Sequence, residues 1–202
     1  MSVAALILAA GQGLRMGGPN KLLAELDGRA LVRRVAETAL ASRLSPVVVV
    51  TGHAAPDIAD ALAGLDAALV CNPAYRGGLS TSLRCGLAAL PPACDGVAVL
   101  LADMPFITGA MLDTLVATFE AGDPHPIVVP THQGQRGNPV LWPRRFLGDL
   151  VGLSGDRGAR DLIAAYAREV VTVEIGEAVS IDLDTPEALG RFGARIGRAD
   201  GH

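Results

Sequence analysis

Val3 to Ala10 is an unbroken apolar run of strand length, and it ends abruptly in a loop rich in glycine, Gly11-Gln12-Gly13-Leu14-Arg15-Met16-Gly17-Gly18-Pro19-Asn20-Lys21. Four glycines fall within eight positions, and two basic residues, Arg15 and Lys21, share the stretch. A buried strand that opens into such a loop lets backbone N–H groups approach an anion closely, because no Cβ stands in the way. Arg15 and Lys21 add full positive charge over the same volume. The pattern reads as a cradle for a polyphosphate; the plainer reading is a loop with solvated basic side chains.

Two familiar phosphate loops do not fit. A Walker A loop needs G-x-x-x-x-G-K-[ST], whereas Gly17 and Gly18 are followed by Pro19, and Lys21 by Leu22. A dinucleotide fingerprint needs a third glycine where Met16 stands, and an acid after the second strand, where residues 47–55 carry none.

Strand-like and helix-like segments alternate beyond the loop. Residues 30–43 place Leu31, Val32, Val35, Ala39 and Leu40 on one helical stripe. Val47 to Val50 is a β-branched run suited to a strand covered on both faces. A helix is expected over 56–65, a strand over 67–71, and a helix over 81–90 with Ser80 as its N-cap. A strand at 97–101 precedes a helix capped by Thr108 and running to Gly122, a suitable C′ residue, with a short strand at 127–129. This rhythm predicts an α/β fold, a three-layer sandwich around a mostly parallel, mixed sheet. After Pro130 the chain is less regular: a loop, residues 140–142, a short helix, a turn at 154–160 and a helix to Arg168. Strands at 170–175 and 179–183 and a helix from Thr185-Pro186 complete it. With no linker or repeat, residues 1–202 are expected to form one domain.

Composition excludes several classes. No apolar run reaches the roughly 18 residues that span a bilayer, and no basic segment precedes the first apolar run, so neither membrane nor secretion is expected. The formal charge of −4 with no basic run argues against nucleic acid. The three cysteines show no C-x-x-C spacing, so neither zinc nor a disulfide framework is suggested. The cytoplasm is the expected compartment.

Ligands of open α/β sheets bind at the carboxyl ends of strands. One such end carries Asp103, after Leu101-Ala102 and before Met104-Pro105. A carboxylate there must be paired, hydrogen-bonded or bound to metal; it could cap the next turn or serve as a hard oxygen ligand for Mg²⁺. Asp182 and Asp184 stand two apart, so on a strand both would face the same way and repel unless a cation joins them. Asp184 could equally serve the helix start at Thr185-Pro186. Gly77 and Gly78 precede a helix opening with Ser80 and Ser82, which fits close approach by a ligand or simply a capped turn.

The segment L-A-A-G-x-x-x-R-M-G followed by K-L-L, carried by Leu8, Ala9, Ala10, Gly11, Arg15, Met16, Gly17, Lys21, Leu22 and Leu23, resembles the nucleotidyltransferases of the molybdenum cofactor cytidylyltransferase type. Further segments in the same order extend the likeness: G-x-x-x-S-L-x-x-G-L at Gly78, Ser82, Leu83, Gly86 and Leu87, D-x-P at Asp103, and D-x-D-T-P from Asp182. Two later segments, G-x-x-G-H-P and G-D-x-G-A-R, match at Gly134–Pro139, with Asn138 where His is common, and at Gly155–Arg160. The resemblance implies a nucleotide-diphospho-sugar transferase-like fold and transfer of CMP from CTP to a molybdopterin-type cofactor with release of pyrophosphate. It implies Arg15, Lys21 and Asp103 as the catalytic set. Leu8, Ala9, Ala10, Gly11, Gly78 and Ser82 would join them around the nucleotide. Asp103 and Asp182 would hold Mg²⁺, with Asp184 a further candidate. Arg136, Asn138, Asp156, Arg157 and Arg160 would face the acceptor, and a recipient molybdoenzyme would be a partner. The same chemistry with GTP or another phosphorylated acceptor, and a non-catalytic carrier of the cofactor, are the alternatives.

Overall fold

The computed structural model describes residues 1–13, 20–153 and 159–195. The first apolar run forms β1 (Val3–Ala9), every residue of it buried. After a short 3₁₀ turn at Lys21–Leu23, a small antiparallel hairpin pairs β2 (Glu25–Leu26) with β3 (Arg29–Ala30). Then come α1 (Leu31–Leu40), β4 (Val47–Thr51), α2 (Ala55–Ala61), β5 (Ala68–Cys71), α3 (Leu79–Ala88), β6 (Gly96–Leu101) and α4 (Gly109–Ala121). The remainder is β7 (Ile127–His132), β8 (Gln135–Arg136), β9 (Val140–Pro143), α5 (Leu147–Val151), α6 (Arg160–Ala165), β10 (Val170–Glu174) and α7 (Pro186–Arg191).

Seven strands lie in the order β10-β7-β9-β6-β1-β4-β5, with β8 attached to β7 as an eighth. Pairings of β1 with β4 and β6, of β4 with β5, and of β7 with β10 are parallel; β9 runs antiparallel to both β6 and β7. The sheet is therefore mostly parallel and mixed, as expected. Because side chains alternate along a strand, β1 feeds two cores. Val3, Ala5, Ile7 and Ala9 pack on the side covered by α1, α2 and α4. Ala4, Leu6 and Leu8, with Ala10 just past the strand, pack on the side of α3, α5 and α6. Two apolar faces require two helical layers, which is why these strands read as continuous runs.

Helix α3 comes close to the sheet. A Cβ at Gly86 would stand 2.3 Å from Leu6 Cδ1 and 2.7 Å from Val50 Cγ2, so only glycine lets the helix reach this depth. Thr108 caps α4 as expected, accepting from Met111 N–H; such caps contribute about 1 kcal/mol. Gly122 ends α4 with φ −88°, in extended backbone and not in the left-handed form common at C′.

Three local expectations need correction. Ser80 does not cap α3, which begins two residues earlier than expected, after Gly78; there the φ of 90° is open to glycine and costly for other residues. Residues 179–183 form no strand: Glu177–Ser180 is a 3₁₀ turn, and the chain then runs irregularly past Asp103, whose carbonyl accepts from Leu183 N–H at 2.9 Å. The segment makes single backbone bonds, to Asp103 and Asn138, and no ladder, so alternation of apolar residues by itself does not make a strand. The pair Asp182 and Asp184 therefore does not share a strand face.

Candidate active site

From β1 the chain crosses to β4 on one side; from β6 it crosses to β7 on the other. The crevice between strands whose connections diverge is where open α/β sheets bind ligands. Here it lies beyond the carboxyl ends of β1 and β6, which deliver Ala10 and Asp103 to the same place.

A cavity of about 410 Å³ occupies that crevice. Leu8, Ala10, Gly11, Gln12 and Gly13 form one wall, continuing from β1. Opposite stand Tyr75, Arg76, Gly78, Leu79 and Ser82, at the start of α3. Lys21, Asp103 and Asp184 supply charge at the same opening. Lys21 is carried by the 3₁₀ turn that Asn20 caps, its side-chain oxygen accepting from Leu22 N–H. The Lys21 ammonium lies 2.5 Å from Asp103 Oδ2, both side chains largely shielded from solvent. Asp103 Oδ1 is buried and has no hydrogen-bond partner among the described residues. A buried carboxylate oxygen left unpaired is costly unless a cation or a ligand proton completes it.

Asp182 lies just outside this cavity, in a neighbouring depression shared with Glu187 and Arg191. It remains within electrostatic reach of the site. Burial, reinforced by Asp184 and Asp103, pushes its carboxyl above the ordinary range, and Lys21 opposes the shift. Asp182, Asp184 and Asp103 thus stand close enough together to influence one another's charge. Among the described residues no group of three or more His, Cys, Asp and Glu side chains is poised to hold a metal unaided. Asp103 with Asp184 or Asp182 fits instead a cation whose remaining ligands come from substrate phosphates, the ordinary manner of Mg²⁺.

Of the residues expected at the nucleotide, Leu8, Ala10, Gly11, Lys21, Gly78, Ser82 and Asp103 meet on this cavity. Ala9 does not line it, its side chain being buried in the core on the opposite face of the sheet. Gly86 belongs to helix packing. Asp184, the weaker metal candidate in the sequence, is the one that reaches the cavity with Asp103. Arg15, Asp156 and Arg157 lie outside the described residues.

A second cavity, about 600 Å³, adjoins the first and shares Leu8, Leu79 and Leu101 with it. Asn138 and Arg160 line it, together with an apolar floor of Leu83, Val140, Trp142 and Leu150. Asn138 is held there by its N–H donating to Val179 O at 2.9 Å. Arg136 is exposed on β8 and lines neither cavity.

Sequence reasoning overlooked Gln12, Tyr75, Arg76 and Asn72. Arg76 adds a further cation to the first cavity, its guanidinium 5.7 Å from the centre of the Tyr75 ring. A basic residue immediately before Gly77-Gly78 was the available signal. Asn72 gave none, since its role depends on what folds over it.

The profile of the MobA-like NTP transferase domain family matches residues 5–170. The chain belongs to that family. It is therefore a nucleotidyltransferase by descent, and similar proteins span several members of the group. The molybdenum cofactor guanylyltransferase of Vibrio cholerae is 32% identical over 202 residues, covering 93% of this chain and 90% of that protein. The purine catabolism protein PucB of Bacillus subtilis is 33% identical, covering 89% of this chain and 90% of that one. The bifunctional protein GlmU of Sorangium cellulosum is 31% identical, and the match spans 87% of this chain but only 37% of GlmU. Among solved structures, a homologue of Mycobacterium tuberculosis Rv0371c from Mycobacterium sp. strain JC1 aligns with TM-score 0.80 and 29% identity, covering 94% of this chain and 93% of that one. A nucleotidyl transferase from Methanothermobacter shares the fold, with TM-score 0.79, 23% identity and coverage of 94% and 95%. The fold is thus that of the nucleotide-diphospho-sugar transferase-like nucleotidyltransferases. Among the described residues no helix is long and apolar enough to cross a membrane.

Proposed function

We propose that residues 1–202 form one domain that transfers CMP from CTP to the phosphate of a molybdopterin-type cofactor and releases pyrophosphate, with Mg²⁺ as its metal. The observation that carries this reading is the meeting of Lys21 and Asp103 at the mouth of a nucleotide-sized cavity, with one Asp103 oxygen left over.

An oxygen of the acceptor's phosphate attacks the α-phosphorus of CTP. A new P–O bond forms as the bond to the bridging α–β oxygen breaks, and its electron pair leaves on pyrophosphate. The attacking oxygen is already anionic, so the site needs no general base, and none is assigned. Its contribution is positioning and charge neutralisation. Lys21 faces the growing negative charge of the leaving group, joined in this role by Arg15. Asp103, with Asp184 or Asp182, would hold the divalent cation. When bound, that cation would neutralise phosphate charge and lower the cost of bringing two anions together.

The second cavity suits the acceptor. Its floor of Trp142, Val140, Leu83 and Leu150 favours a flat, weakly polar ring system, and Arg160 and Asn138 offer donors to a phosphate or a heterocycle edge. A sugar phosphate would leave its hydroxyls facing hydrocarbon. A recipient molybdoenzyme would follow the transfer as a partner.

One observation favours a second reading: the Vibrio cholerae relative is a guanylyltransferase. On that reading the same transfer uses GTP. Incubating the protein with each nucleoside triphosphate, Mg²⁺ and isolated molybdenum cofactor, then weighing the products, tests both. A cytosine dinucleotide product with pyrophosphate is expected. A guanine product moves the assignment to GTP, and no pyrophosphate from any combination leaves a carrier.

A further inference from the structure

Asn72 follows β5 and is 3% exposed, beneath the loop that leads into α3. Its Oδ1 accepts from Ala74 N–H at 3.0 Å. A backbone N–H can only donate, so this bond fixes the orientation of the amide, which leaves Nδ2 pointing the other way. The two Nδ2 hydrogens are committed in turn, to Thr81 Oγ1 at 3.0 Å and Ser82 Oγ at 3.0 Å.

The consequences differ for the two hydroxyls. Thr81 accepts from Asn72 and spends its own hydrogen on backbone, with Gly78 O at 2.9 Å and Ala74 O at 3.0 Å. Ser82 accepts from Asn72 as well, but no described residue accepts the hydrogen of its hydroxyl. Ser82 is 4% exposed and lines the 410 Å³ cavity. A buried hydroxyl seeks an acceptor for its hydrogen, and the cavity is the direction still open.

We propose that Asn72 is a positioning residue that fixes the Ser82 hydroxyl as a donor to the bound nucleotide, so that the nucleotide atom read there is an acceptor. This rests on the assignment of the 410 Å³ cavity to the nucleotide. An exocyclic amine would meet donor with donor; a base carbonyl, a ring nitrogen or a ribose oxygen is accepted. The amide thus converts a residue able to give or take a hydrogen bond into one with a single polarity.

The test is a double-mutant cycle read by calorimetric binding of α,β-methylene-CTP with Mg²⁺ to the full chain. Asn72→Asp retains the acceptor for Ala74 N–H but takes the Ser82 hydrogen for itself, turning lone pairs toward the ligand. Ser82→Ala and Asn72→Asp should each weaken binding about tenfold. In the Ser82→Ala background, Asn72→Asp should then cost several-fold less, because only its added charge and the lost bond to Thr81 still act. In turnover the Ser82→Ala loss should fall on KM for CTP and little on kcat, as for a contact made equally in ground and transition states. Equal cost of Asn72→Asp in both backgrounds would overturn the proposal and reduce Asn72 to a support for the loop. Should Asn72→Asp fail to give a cooperative melting curve, Asn72→Ala in the same cycle is judged by the same criterion. A wild-type protein that binds neither this analogue nor its GTP counterpart would overturn the nucleotide assignment itself, and the proposal with it.

Discussion

The ammonium of Lys21 and the carboxylate of Asp103 meet at 2.5 Å although 82 positions separate them in the chain. One oxygen of the carboxylate is engaged; the other is buried with no partner among the described residues. Removing the charge of Asp103 while keeping its shape isolates the electrostatic contribution. Asp103→Asn should leave a cooperative melting transition and lower turnover by roughly 10²–10³-fold, as loss of a principal electrostatic stabiliser does. Near wild-type turnover in a folded variant would remove Asp103 from the site.

Lys21→Ala should weaken triphosphate binding and slow the chemical step together, because charge on the leaving group grows toward the transition state. Steady-state kinetics with each substrate varied in turn separates the cases. A change confined to the acceptor's KM would place Lys21 on the other substrate.

Asp182 makes a prediction about pH. Its folded-state carboxyl titrates above the ordinary value, chiefly through burial and then through Asp184 and Asp103. The folded state therefore binds a proton that the unfolded state has released, and stability falls as pH rises between the two titrations. Above the raised value the penalty is complete; below the ordinary value it is absent. Asp182→Asn should thus raise the melting temperature at neutral pH, with the gain shrinking on acidification. If Asp182 serves the cation, the same variant should lose activity while gaining stability. A lower melting temperature at neutral pH would contradict the burial argument.

Gly86 makes a prediction about packing. Gly86→Ala would drive its methyl into Leu6 and Val50, and over-packing of this kind costs about 1–3 kcal/mol. Chemical denaturation should show a lower midpoint with an unchanged slope. Because α3 also carries Ser82, nucleotide affinity should fall as well. Unchanged stability would mean that the helix can retreat from the sheet freely.

Ala10 lines the 410 Å³ cavity next to Tyr75, their side chains both crowding the space over Gly52. Its methyl narrows the room for a base, which a pyrimidine tolerates better than a purine. One methyl is worth about 1–3 kcal/mol of discrimination, or roughly 10–200-fold. Preference for CTP over GTP is expected, and Ala10→Gly should narrow it without reversing it. Equal use of the two by the unmodified protein would refute the cytidylyl assignment.

The sequence by itself determined the alternation of elements, the mostly parallel sheet, and the placement of Ala10, Lys21 and Asp103 at strand ends or just beyond them. These features are local: a continuous apolar run specifies a doubly covered strand, and a glycine-rich break specifies a loop, whatever surrounds them. Tertiary structure decided what no local pattern encodes. Residues 179–183 have the apolar alternation of a strand but pair with none, and Asp184 reaches the cavity while Asp182 stands beside it. Gly86 matched a binding motif, yet its lack of a side chain serves the contact of α3 with Leu6 and Val50. Asn72 resembled any turn residue until the fold placed Ala74, Thr81 and Ser82 around its amide. Hydrogen-bond polarity and charge coupling depend on distances between residues far apart in the chain, and only the packed structure sets those distances.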